Sequence, residues 1–84
     1  MAPVSSVAVF VARYGDGADP VAAEVLASLD GEERAVIGMR ALPAAARGPL
    51  LRPGGWSDAY LSHVEQRAFV HVRRELQRRG LWQP

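Results

Sequence analysis

No cysteine occurs in this chain of 84 residues, so disulfides, thiolate metal sites and cysteine nucleophiles are excluded together and the redox compartment is left open. Lysine is missing as well. All ten basic residues are arginine and alanine is abundant, which reads as coding bias. No apolar run approaches the ~20 residues of a membrane span, and the first residues lack a charged segment followed by a long apolar core. The expectation is a soluble, cytoplasmic protein with no membrane role. A P-loop, a dinucleotide fingerprint, a nucleophile elbow and any internal repeat are likewise missing. His63 and His71 stand two turns apart on a helix and about 80° around it, so they cannot share an ion.

The length suits one domain, 1–84, burying roughly 60% of its unfolded surface and gaining stability from a partner. Net charge is only +1, but residues 1–33 carry −5 and residues 34–84 carry +6. That asymmetry permits an acidic partner or nucleic acid at the C-terminal half. Arg47, Arg52, Arg67, Arg74 and Arg78 are the contacts it suggests, with a solvated helix face as the plain alternative.

Val7 to Tyr14 (VAVFVARY) is almost wholly apolar and rich in β-branched residues, which predicts a strand buried on both faces, ended by Gly15-Asp16-Gly17. From Asp19 two readings stand. Asp19 as N-cap with Pro20 at the first helical position opens a short helix; a hairpin about Asp30-Gly31 is the rival. Arg34 to Leu42 reads as a second strand, with Gly38 weakening its middle or marking a bulge. Residues 43–56 (PAAARGPLLRPGGW) hold three prolines and three glycines and form a long loop of the kind that is usually functional or disordered. Trp56 would anchor it to the core.

The strongest helical pattern lies at 62–79. Leu61, Val64, Ala68, Phe69, Val72 and Leu76 fall within an arc of about 140°, opposite Gln66, Arg67, Arg73, Arg74, Gln77 and Arg78. Ser62 with Glu65 predicts a capping box, and Gly80 predicts a left-handed close. Glu65 lies within the apolar arc, where a carboxylate needs either that capping role or a place on the floor of a pocket. The fold class expected is therefore α/β: a small two- or three-stranded sheet packed by a short helix and a long C-terminal helix.

The run Tyr60-Leu61-Ser62-His63-Val64-Glu65-Gln66-Arg67-Ala68, with Arg73 or Arg74 two turns on and a Gly/Pro-rich loop before it, resembles the His-Val-Glu helix of the bacterial toxin deaminases that act on cytosine in double-stranded DNA. The resemblance implies a partial deaminase-like fold, His63 as a zinc ligand and Glu65 as the acid/base between metal-bound water and the base. The family's Pro-Cys-x-x-Cys has no counterpart here. Catalytic zinc takes three protein ligands, so the isolated chain is expected to hold no cofactor, and zinc only if a partner segment completes the site.

Two functions follow. One is a small non-catalytic interaction module on a deaminase-like core, pairing with itself or another protein through Phe69, Val72 and Leu76 or contacting nucleic acid through its arginines. The other is half of a split or truncated zinc deaminase, active only with a complementary cysteine-bearing segment.

Overall fold

The structure is a computed structural model and describes residues 1–41 and 56–84. The described residues form four helices: α1 (Val7–Tyr14), α2 (Pro20–Ala27), α3 (Gly31–Ala41) and α4 (Asp58–Arg78). The α/β expectation is overturned, and with it the sheet and the deaminase-like order of strands before a helix. Among the described residues the one extended pairing is an isolated parallel bridge between Val4 and Trp82.

The first expected strand is α1. Val7, Phe10, Val11 and Tyr14 follow the helical spacing of one face, and Phe10 and Val11 are buried while Val7 and Tyr14 pack against the core. Ala8, Val9, Ala12 and Arg13 are exposed. Because the outer face is nearly as apolar as the inner one, composition imitates a strand covered on both sides; the helical period separates the faces. At its end, a Cβ on Gly15 would stand 2.5 Å from the Val11 carbonyl oxygen and 3.0 Å from the Ala41 side chain. Glycine there lets the ends of α1 and α3 close together.

Asp19 opens α2 as expected, its Oδ1 accepting from the backbone N–H groups of Val21 at 2.9 Å and Ala22 at 3.1 Å, with Pro20 in the first turn. The hairpin rival is removed because Asp30-Gly31 begins another helix. Asp30 Oδ1 accepts from Glu33 N–H at 2.8 Å and Glu33 Oε1 accepts from Asp30 N–H at 3.2 Å, the reciprocal capping box. The second expected strand is therefore α3. Glu33, Val36 and Ile37 are buried and Arg40 half-buried at i, i+3, i+4 and i+7, and Gly38 sits within the helix instead of marking a bulge. Leu42 and the expected loop, Trp56 apart, lie outside the described residues. Trp56 meets the Tyr60 ring edge-on at 5.0 Å.

Helix α4 starts earlier than the Ser62 reading placed it. Ser57 Oγ accepts from Tyr60 N–H at 3.1 Å, which makes Ser57 the cap; Ser62 lies exposed inside the helix. Val64, Ala68, Val72 and Leu76 form a fully buried row at four-residue spacing. The C-terminus closes as the sequence predicts: Gly80 adopts φ +72°, Leu81 N–H donates to Leu76 O at 2.8 Å and Gly80 N–H to Gln77 O at 3.1 Å, the paired bonds of a Schellman motif. Val4 N–H then donates to Leu81 O at 2.9 Å and Gln83 N–H to Val4 O at 2.8 Å, binding the two ends of the chain.

Helix α4 packs most extensively on α3, with α1 and α2 closing the remaining sides. The core joins Phe10 and Val11, Ala22 and Val25, Ile37, and Ala68, Val72 and Leu76. The chain exposes 4976 Å², close to the roughly 4,900 Å² that surface scaling gives a compact monomer of its mass. One copy thus buries what a domain of this size ordinarily buries.

Candidate functional site

The sequence pointed to His63 and Glu65, and the helix turns them to different sides. Glu65 is half-buried toward α3, where Arg40 donates to its Oε2 from Nε at 3.1 Å and more closely from Nη2. With Ala8, Val11, Ala12, Arg40 and Phe69 it lines a groove between α1 and α4. His63 is exposed, its ring 6.5 Å from that of Tyr60, and it lines a separate shallow groove with Gln66, Arg67, Val70 and His71. The two residues do not face one ion. No group of three or more potential metal-ligating side chains gathers among the described residues.

Polar groups converge instead where the start of α3 meets α4. The Glu33 carboxylate is 3% exposed; its Oε2 accepts from His71 Nδ1 at 2.6 Å and lies 3.5 Å from Arg67 Nε. Arg67 also reaches Asp30 Oδ2 at 3.1 Å and Glu32 at 3.6 Å, and Tyr60 donates its hydroxyl to Glu32 at 2.6 Å. The Glu33 backbone N–H, bonded to Asp30, holds the Asp30 carboxyl below the usual range. The hydrogen bond to Glu32 pushes the Tyr60 phenol upward. A buried charge costs least when it is both paired and hydrogen-bonded, and Glu33 meets both conditions. The spacing Asp30-x-x-Glu33 ahead of an apolar run is the signal that marks this start, and both readings of the stretch pass over it, since Gly31 serves either to close the preceding helix or to turn the rival hairpin.

A second cluster ties the end of α4 to α2. Glu75 accepts from Arg78 and, at 2.9 Å, from Arg79 Nε, while Arg79 Nη1 donates to Glu24 at 2.8 Å. The hydrogen bond from Arg78, with that from Arg79, lowers Glu75 from 4.5 to about 2 against the opposing effect of burial. Both clusters join acidic residues of the first half to basic residues of the second. Much of the charge asymmetry is thus satisfied within the chain.

The other expected contacts separate accordingly. Val72 and Leu76 are wholly buried in the chain's own core and present no surface, whereas Phe69 is half-buried beside the α1 groove. Arg67 and Arg78 are engaged by carboxylates, and Arg74 is exposed. Arg47 and Arg52 lie outside the described residues. No described helix is long and apolar enough to cross a membrane. Compared with protein-family models, curated proteins and solved structures, the chain matches none of the three.

Proposed function

We propose that the chain is a small, non-catalytic helical interaction module whose docking surface is the outer face of α1, and that the occupant of this surface is a second copy of the chain. The observation that carries the reading is the division of labour among side chains. The described glutamates of α3 and α4 are spent on a cap and on pairs within or between helices, while α1 offers Ala8, Val9 and Ala12 to solvent, with Val9 40% exposed, beside the half-buried Phe69.

A second copy fits because the outer face of α1 is apolar, and the one charge that α1 itself carries, Arg13, stands at the end of the helix. Antiparallel pairing about a two-fold axis sets the two Arg13 side chains at opposite ends; parallel pairing would bring them together. An eight-residue helix is only about 12 Å long, so the contact falls below the ~1,200 Å² of stable interfaces. The association is therefore weak and reversible, in keeping with a monomer that exposes about the surface expected for its mass.

The zinc-deaminase half gains no support: His63 and Glu65 line different grooves, Glu65 is bound by Arg40, and the strands expected before the helix are helices. Sedimentation velocity across a wide concentration range tests the proposal. The expected result is a monomer–dimer equilibrium weaker than about 1 µM, abolished by Val9→Glu without loss of melting temperature. A monomer at every concentration, or a dimer indifferent to Val9→Glu, would overturn it.

A further inference from the structure

We infer that the notch between the end of α2 and the C-terminal part of α4 binds a phosphate monoester group. It is an open notch lined by Ser28, His71, Arg74, Glu75 and Arg78, with a volume of about 310 Å³, the lower end of the ~300–1,000 Å³ typical of ligand pockets. A small group fits there. The site lies on the α2 side of α4, apart from the α1 groove, and does not depend on the dimer.

His71, Arg74 and Arg78 occupy positions i, i+3 and i+7 and so form one ridge of α4. Each is prepared for the ligand in a different way. The Nδ1 of His71 is committed to the buried Glu33 carboxylate, yet the side chain is 43% exposed, so Nε2 remains for a ligand. Arg78 is held by Glu75, which Arg79 also neutralises. Arg74 is exposed and pairs with no carboxylate among the described residues. Three guanidinium groups, Arg74, Arg78 and Arg79, thus face two carboxylates, Glu75 and Glu24, leaving one cation in surplus. Ser28 closes the wall, its hydroxyl donating to Val25 O at 2.6 Å.

The monoester is favoured by its proton. With Nδ1 fixed by Glu33, a neutral His71 accepts at Nε2 and a protonated one donates there. A phosphate monoester, whose second ionisation falls near neutrality, can donate a P–OH in the first case and accept in the second. A phosphodiester has no such proton. Nucleic acid also needs a track of positive charge and stacking surfaces, whereas Arg67 is drawn into the α3 clasp and Gln66, Val70 and Gln77 interrupt the outer face of α4.

The two histidines of the full chain make the test direct, since proton NMR reads their ring signals separately and His63 serves as the internal control. Phenyl phosphate, a phosphoserine peptide and its unphosphorylated form are titrated near neutral pH at fixed ionic strength, followed by oligothymidylate. Saturable movement of the His71 signal with the first two is expected, with His63 still. Tighter binding of the phosphopeptide assigns a protein-borne source, and equal binding a free one. Arg74→Ala weakens binding about tenfold, the scale of one charge-assisted hydrogen bond, while the melting temperature holds. Equal drift of both histidines, indifference to Arg74→Ala, or stronger binding of oligothymidylate would overturn the inference.

Discussion

His71 donates its Nδ1–H to a Glu33 carboxylate that also caps its own helix, at 2.6 Å and 3.2 Å through different oxygens. One buried side chain thereby both starts α3 and fastens it to α4. Helix nucleation and helix pairing are coupled at this point, and substitutions here act on both.

Glu33→Ala should therefore cost about 2–3 kcal/mol, since it removes hydrogen bonds to an ionised, buried acceptor. His71→Ala should cost less, because Asp30 N–H and Arg67 still serve the carboxylate, and Asp30→Ala should lower the urea midpoint while leaving the His71 contact in place. Urea melts of the three variants give the order. A neutral Glu33→Ala would show that the clasp holds nothing.

Stability should also fall in acid through Glu75. Its folded-state value, about 2, lies below its ordinary 4.5, so the contribution of its bonds to Arg78 and Arg79 is present above the unfolded value and is lost as pH falls from there through the folded one. Melting temperatures in acid should show the wild type losing stability over that window and Glu75→Gln losing less. Parallel curves for the two proteins would contradict the assignment.

The two ends of α4 offer a third check. Ser57→Ala should cost about 1 kcal/mol as a lost N-cap, and Ser62→Ala, exposed within the helix, should lie within about 0.5 kcal/mol of wild type. Gly80→Ala should cost about 1–2 kcal/mol because alanine resists the left-handed conformation. A larger loss at Ser62 than at Ser57 would move the helix start.

The sequence made some elements legible and disguised others for identifiable reasons. Asp19-Pro20 and Gly80 act through local backbone chemistry, and both ends were readable from a few residues. The buried row of α4 was equally clear, because its opposite face is polar. Helix α1 was hidden by Val9, Ala8 and Ala12: an apolar outer face erases the contrast on which periodicity depends. Helix α3 was hidden because Arg34 to Leu42 reads as a strand whether Asp30-Gly31 closes a helix or turns a hairpin; the cap that Asp30 forms with Glu33, three places on, is what starts the helix instead. As for the site, Glu65 reads as a cap for Ser62 or as a carboxylate on a pocket floor, whereas it pairs with Arg40, 25 positions earlier on another helix, and no local pattern announces that. The same holds for His71 with Glu33 and Arg79 with Glu24.

The bridge that joins Val4 to Leu81 and Gln83 makes the chain topologically almost a ring. Entry and exit share one spot on the surface, so a host protein could carry these residues within a loop without stretching its own fold. A new opening cut between α2 and α3, with the old ends fused, should fold to the same core. The pull of two tethers, applied at the joined ends, would load two backbone hydrogen bonds before it reached any helix.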